Sequence, residues 1–380
     1  MRMIAERLTL VDKIRNLHWS LLLTFIAIAS FGTVVLVSVT LKDPQMAGIP
    51  WQHMSRFIFV LIATIGLAVA PIRIWAMIAY PAYLGALFLL VLVEFMGTMG
   101  GGAQRWLDIG PTLIQPSEFM KIAILLALAR YYHQASENNR TPNLGNHIIA
   151  ALIIGVPTML VLRQPDLGTS LMLAATGGVV IFFAGLPWRV IFAGTLAVVI
   201  SIWPIYQFGL KDYQKERVYT FLDPSRDPLG AGYQLQQAKI AIGSGGVEGK
   251  GFMQGTQSQN NYIPEQHTDF IFTIIAEEFG FMGSMALLTA WAIALIFGLL
   301  IANRSTTVFG GLAAAGVVAT LAFYVVVNIG MVMGLMPVVG VPLPLISHGG
   351  TAMMTVMLGF SILLMVHIHR DQSMVLKGII

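Results

Sequence analysis

The chain has 380 residues, 56% hydrophobic and only 11% charged, against about 25% charged in an average soluble domain. So few charges cannot cover the surface of a water-soluble protein of this length, so lipid must be the solvent for most of it. The formal net charge of +4 comes without a Lys/Arg run able to track phosphates, which argues against a nucleic-acid partner, and the absence of cysteine excludes disulfides, thiolate nucleophiles and thiolate metal sites.

Met3–Leu17 places Ile4, Leu8 and Val11 on one helical face and Arg7, Asp12 and Arg15 elsewhere. It reads as a short amphipathic helix on the inner membrane surface or as a solvated tail. The apolar run His18–Thr40 is long enough to span, and no small-residue cleavage site precedes a soluble region. It is expected to be a retained anchor rather than a signal peptide. A bilayer core of about 30 Å needs about 20 apolar residues in a helix. Ten stretches are candidates: 18–40, 56–72, 75–97, 116–132, 147–163, 168–186, 188–208, 269–302, 308–334 and 349–369. The fourth is short and carries Glu118 and Lys121. The eighth is overlong and carries Glu277 and Glu278, which read as an internal polar contact. No internal repeat is visible, which counts against a transporter built from inverted repeats. The expected fold is all-α: one polytopic membrane domain, residues 1–380, of about ten transmembrane helices with a large folded periplasmic loop at about 210–268.

Ten spans put both termini on one side. If that side is the cytoplasm, eleven Lys and Arg lie inside and five lie in or beside the short outer loops. The positive-inside rule therefore predicts cytoplasmic termini, with the loop Leu210–Thr268 outside.

That loop holds 12 of the chain's 40 charged residues. It carries turn signals at Asp223-Pro224 and Asp227-Pro228, a predicted helix around Tyr233–Ile242, and the glycine-rich run Gly243–Gly251. It is too rich in Tyr, Leu and Ile for disorder and reads as a folded outer cap. The glycine run fails as a Walker loop, because Ser244 stands where the first glycine belongs and Gly251 occupies the Ser/Thr place. It fails as a dinucleotide fingerprint too, since Glu248 replaces the third glycine. No nucleotide is expected. The glycines read as permitting tight turns and close approach of backbone to a ligand.

Three further outer-face segments are polar: Gly100–Lys121, Arg163–Ser170 and His267–Phe272. On a helix begun by Pro116, Glu118 and Lys121 share a face. An ionised group at membrane depth costs roughly 2.5–3.5 kcal/mol and is a functional candidate by default. Pairing of Glu118 with Lys121, and helix capping by Asp166 and Asp269, explain each residue singly. They explain less well why all gather on one face. Catalysis outweighs capping for Asp269; for Asp166 and the Glu118/Lys121 pair the two readings balance. His267 and His348 lack metal-ligand spacing with any partner.

These segments carry a family likeness. Gly102-Ala-Gln-Arg-Trp-Leu-Asp108, Gln115-Pro-Ser-Glu118, Gln164-Pro-Asp-Leu-Gly-Thr169 and Asp227-Pro-Leu-Gly-Ala-Gly-Tyr233 are followed by Ala241–Gly246, Gly255-Thr-Gln-Ser258, His267-Thr-Asp-Phe-Ile-Phe272 and Gly340-Val-Pro-Leu-Pro-Leu-Ile-Ser347. In that order, along nearly the whole length, the chain resembles the shape, elongation, division and sporulation (SEDS) membrane proteins. Gly255-Thr-Gln favours the elongation branch over the division branch. His348 departs from the tyrosine usual there, which bears on a local contact at the mouth of the last span.

The resemblance implies a peptidoglycan glycosyltransferase of the bacterial inner membrane that polymerises lipid II, a disaccharide-pentapeptide linked through pyrophosphate to a polyprenyl chain. It implies a class B penicillin-binding protein as crosslinking partner, beside other proteins of the elongation complex. The family's essential acidic residue falls on Asp269, its sensitive tryptophan on Trp106, and its polar cavity residues on Glu118, Lys121 and Asp166. Pyrophosphate is a good leaving group, so one carboxylate suffices as general base toward the acceptor hydroxyl, unlike the two carboxyl groups of glycoside hydrolysis. Lys121, Arg105, Arg56, Arg217 and Lys239 are candidates to hold the pyrophosphate, and Ser347 is a further substrate-site candidate. A divalent cation, Mg or Mn, could share the task on Asp166 or Glu118. The rival readings are a lipid II flippase, a scaffold that only recruits a transpeptidase, and a division-branch glycosyltransferase.

Overall fold

The computed structural model describes residues 9–40, 46–100, 103–108, 113–137, 142–204, 230–260 and 262–372, with isolated positions 44, 110, 207, 215, 219–221, 223, 227 and 374. In chain order it forms α1 (Leu10–Arg15), α2 (Trp19–Thr40), α3 (Ile49–Ala68), α4 (Ile72–Met96), β1 (Thr98–Gly100), β2 (Ala103–Asp108) and β3 (Leu113–Ile114). There follow α5 (Pro116–Glu137), α6 (Leu144–Arg163), α7 (Leu167–Phe183), α8 (Trp188–Pro204), α9 (Ala231–Ser244), α10 (Thr256–Gln259), α11 (Ile271–Glu278), α12 (Gly280–Arg304), α13 (Val308–Val332) and α14 (Gly350–Ile368).

Among the described residues, seven helices are long and apolar enough to cross a membrane: α2, α3, α4, α6, α12, α13 and α14. The apolar run of helix α5 is interrupted by Glu118, Lys121 and Arg130, and α7 is apolar but only 17 residues long. A helix with charges at membrane depth survives where protein surrounds it. Here α5 packs on α4, α6, α7, α13 and α14, and nearly every side chain from Pro116 to His133 is buried. Helices α13 and α14 complete this centre, while α3, α4, α6 and α12 turn large apolar side chains outward.

Two expectations need correction. The chain is mostly helical but not all-α, because Thr98–Gly100, Ala103–Asp108 and Leu113–Ile114 form a three-stranded antiparallel sheet in the order β1-β2-β3. Its strands are two to six residues long, too short to carry a legible alternation. The single overlong span at 269–302 is two helices, α11 and α12, broken at Phe279 just before Gly280.

The glycine-rich run explains the break. Gly280 has φ +64°, and a Cβ there would lie 2.3 Å from Gly249 N and 2.6 Å from Val247 O. Across this contact Lys250 N and Gly251 N donate to Glu277 O and Glu278 O at the end of α11. Phe281 N and Met282 N at the start of α12 donate to Gly246 O and Val247 O. The backbone groups that two helix ends leave without intrahelical partners are thus satisfied by one loop. The close approach these glycines make is to the α11–α12 backbone, in place of the ligand that the sequence suggested. Glu277, fully buried, reinforces it by accepting from Lys250 Nζ (2.7 Å), Gln257 N (3.0 Å) and Ser258 N (3.2 Å). Glu278 accepts from Ser38 Oγ of α2 at 2.6 Å. The internal polar contact expected of these two acids is therefore a seam between α2, the loop and α11.

A Cβ on Gly245 would lie 1.9 Å from Ala276 O, whereas Gly243, two residues earlier in the last turn of α9, faces open space. Gly245→Ala is expected to cost about 1–3 kcal/mol through overpacking against backbone. Gly243→Ala should stabilise by about 0.5–1 kcal/mol through helix propensity. Melting temperatures of the two purified variants in detergent check this; equal values would contradict the seam.

Candidate active site

The sheet, the start of α5 and the turn before α11 converge on a cavity of about 550 Å³, within the roughly 300–1,000 Å³ usual for ligand sites. Arg105, Trp106, Glu118, Lys121, Asp166 and Asp269 all line it. The sheet aims the first two. Its register passes from Met99↔Gln104 to Thr98↔Trp106, leaving Arg105 as an extra residue. Such a bulge re-aims side chains, so two consecutive residues of β2 both reach the cavity.

Pro116 opens α5 and Glu118 stands in its first turn, where a carboxylate complements the helix dipole. One turn on, Lys121 Nζ donates to Glu118 Oε1 at 2.7 Å and to Tyr324 Oη of α13 at 2.7 Å. The Tyr324 hydroxyl donates to the other Glu118 oxygen. All three side chains are buried, so the pair has the additional hydrogen bond that a desolvated ion pair needs. Tyr324 was not legible as a site residue, since it lies inside an apolar span. The available signal was its i, i+4 spacing with Asn328, which puts two polar groups on one face of α13.

Asp166 does two jobs. Its Oδ1 caps α7 by accepting from Thr169 N at 3.1 Å, and its Oδ2 accepts from Gln115 Nε2 at 3.2 Å. Arg105 Nη2 donates to Pro165 O at 2.6 Å, while its Nε lies 3.7 Å from Asp166 Oδ2. Among the described residues that buried Nε has no hydrogen-bond partner.

Asp269 differs from the other acids. Phe270, not Asp269, is the N-cap of α11, and that cap has no side-chain hydrogen bond. Among the described residues the Asp269 carboxylate has no hydrogen-bond partner, although Asn328 and Gly340 lie beside its residue. It sits ahead of α11, outside the spans. Burial, helped by the nearby Glu265 carboxylate and opposed by Arg105, raises its pKa to about 6. His348 also lines the cavity; burial and the nearby Arg56, His267 and His53 lower its pKa to about 4. It is therefore neutral near pH 7 and no ligand for an anion by charge.

Other expected residues stand apart. Arg56 of α3 flanks the cavity mouth: a Cβ on Gly350 would lie 3.4 Å from its guanidinium. Exposed Lys239 of α9 packs its stem against Gly334. Buried Ser347 directs its hydroxyl to Thr268 O at 2.6 Å. None of these three is among the lining residues, and Arg217 lies outside the described residues. The proposed cation ligands fit a metal poorly. Glu118 is bound to Lys121 and Asp166 faces Arg105, so each carboxylate is already balanced by a cation. Among the described residues no three His, Asp or Glu side chains converge as a ligand set.

A family model named for FtsW, RodA and SpoVE and described as cell cycle protein matches residues 18–372. The peptidoglycan glycosyltransferase MrdB of Escherichia coli K12 is 43% identical over 362 residues, covering 95% of this chain and 96% of its own. Among solved structures, a chain from a peptidoglycan synthase complex, studied for its coordination of polymerization and crosslinking, superimposes with TM-score 0.81 at 33% identity. It covers 94% of this chain and 99% of that one. The rod shape determining protein RodA of Thermus thermophilus gives TM-score 0.70 at 29% identity over 94% of this chain and 98% of its own.

Removing one partner of a buried ion pair costs roughly 3–5 kcal/mol, because the other charge stays buried. Lys121→Met is expected to lower stability by that order. Adding Glu118→Gln should recover part of the loss. A double-mutant cycle on melting temperature measures the coupling, and additive effects would refute it.

Proposed function

The chain belongs to the FtsW/RodA/SpoVE family, and from that premise we propose that its cavity polymerises lipid II into glycan strands, with Asp269 as general base. It is a multi-pass membrane protein and a peptidoglycan glycosyltransferase of the elongation type, and it works with a class B penicillin-binding protein that crosslinks the strands. The observation that carries the catalytic reading is a carboxylate without a hydrogen-bond partner among the described residues, in a cavity that also holds Arg105 and Lys121.

The acceptor sugar hydroxyl gives its proton to Asp269 as its oxygen attacks the anomeric carbon of the donor. The bond from that carbon to the pyrophosphate oxygen breaks, and the lipid pyrophosphate leaves with the electron pair. Arg105 is the cation best suited to receive that charge, because it lines the cavity and its Nε, 3.7 Å from Asp166 Oδ2, has no hydrogen-bond partner among the described residues. Lys121 lies deeper, held by Glu118 and Tyr324. Trp106 offers a flat apolar face to a sugar ring. No step is routed through a metal.

Helices α5, α7 and α8 cross the membrane as well, making ten spans. Both termini then lie in the cytoplasm and the cavity opens to the periplasm, at the surface of a bacterial inner membrane. Lys13, Arg15, Arg73, Arg304 and Arg370 at the helix ends on the terminal side support this orientation. Below the cavity, α5 is apolar and buried from Ile122 to Ala129. That closed stretch favours a polymerase over a flippase, which needs a polar path through both leaflets.

Purified protein with labelled lipid II tests the base. Asp269→Ala should lose about 100- to 10,000-fold in rate while keeping its melting temperature, and near-normal polymer would remove the assignment. In the wild type the rate should fall about tenfold per unit as pH drops below about 6, because the base must be ionised to work.

A further inference from the structure

Among the described residues the Asp269 carboxylate has no hydrogen-bond partner, but the carbonyls of its turn are restrained. Three consecutive carbonyls at this turn are each held from elsewhere in the chain. His267 O accepts from His348 N at 2.9 Å. Thr268 O accepts from Ser347 Oγ at 2.6 Å. Asp269 O accepts from Asn328 Nδ2 at 2.8 Å.

The two side chains in this set are each locked by a second bond. The Asn328 amide also donates to Val341 O at 2.7 Å. Two carbonyls facing one end of an amide fix its orientation, since only the NH2 group can satisfy both. Asn328 therefore ties the Asp269 turn to the segment that forms the facing wall. Ser347 Oγ likewise accepts from Leu343 N at 2.8 Å while donating to Thr268 O. Asn328 is fully buried and Ser347 is 4% exposed, so water does not compete for these bonds. Between the two ties, Gly340 takes φ +70°, and a Cβ there would lie 3.3 Å from Asp269 Oδ2.

We infer that Asn328 and Ser347 are positioning residues for the reaction: they aim the Asp269 carboxylate into the cavity through its backbone and leave both of its oxygens free. This rests on the reading of Asp269 as base. A side-chain donor placed directly on the carboxylate would also orient it, but would stabilise the ionised form and weaken the base. Holding the main chain gives direction without that loss. A misplacement of about 1 Å at a reacting group can cost about 100-fold in rate, so the clamp has a measurable consequence.

The charged and titratable groups facing Asp269 are Glu265 in its own turn, Arg105 from β2, His348 from the segment before α14, Tyr324 from α13, and Asp166, Glu118 and Lys121 across the cavity. None of them is altered by substituting Asn328 or Ser347. If the clamp is released, the carboxylate is no longer held in its buried pose beside Gly340, gains water, and its titration moves down toward an ordinary carboxylate.

The experiment is steady-state polymerisation of labelled lipid II by the full-length protein across pH. Asn328→Leu, Ser347→Ala, Ser347→Thr and Asp269→Ala are run beside the wild type, each checked by melting temperature. Asn328→Leu and Ser347→Ala should lower kcat by about 100-fold with KM within about twofold, and move the acid limb of the kcat profile to lower pH. Ser347→Thr, which keeps a hydroxyl, should restore most of the rate and the original limb. If Asn328→Leu does not fold, Ser347→Ala and its threonine rescue decide by the same readings. Wild-type kcat and pH profile in the folded clamp variants, or a rise in KM alone, would overturn the inference. With Asp269→Ala inactive, that result leaves the base standing; an active Asp269→Ala removes the base and the clamp's purpose together.

Discussion

A general base among cations is useful only if the cations have other partners. A carboxylate paired with Arg loses about 1–3 units of pKa and, with them, its appetite for a proton. Lys121 is taken by Glu118 and Tyr324, and Arg105 by Pro165 O with Asp166 alongside. Asp269 is left over. Burial and Glu265 then raise its pKa to about 6, close to where a base at neutral pH works best. The cavity is thus a set of charges sorted so that one remains available.

That sorting depends on where the chain breaks. Were α11 and α12 one helix, its first residues would be fixed by the tilt of a long membrane span. The glycine-rich loop instead splices into the break, taking the carbonyls at the end of α11 and supplying carbonyls to the start of α12. Helix α11 becomes a separate eight-residue piece, buried throughout. Its direction is set by α9 beneath it and by the seam at Glu277 and Glu278. Asp269 stands just before the N-terminal end of that piece, away from the splice, which explains how a residue next to a membrane helix can line the cavity.

Particular residues separate what could be read early from what could not. Glu118, Lys121, Asp166 and Asp269 were legible because a charge in an apolar chain is expensive and needs a reason. Tyr324 and Asn328 were not, since an uncharged polar group in a span is common and its purpose depends on its partners. Those partners lie far off in sequence: Tyr324 meets residues more than 200 positions away, and Asn328 reaches one 59 positions away. Arg56, Lys239 and Ser347 went to the substrate site because membrane topology assigns a face and not a place on it. Ser347 turned out to hold a backbone, Lys239 to pack on Gly334, and Arg56 to flank the cavity. The sheet that aims Arg105 and Trp106 escaped notice because its strands are too short to show a period.

Composition and hydropathy by themselves established a helical membrane protein, most of its helix positions, and the acids that stand out against it. Each of these is a local property: burial in lipid is decided residue by residue within a turn or two of helix. The tertiary structure alone decided which acid is free, which are paired, where the eighth stretch breaks, and what holds the turn at Asp269. Hydrogen bonds and ion pairs act over about 3 Å, and distances that short between remote segments exist only once the helices have packed.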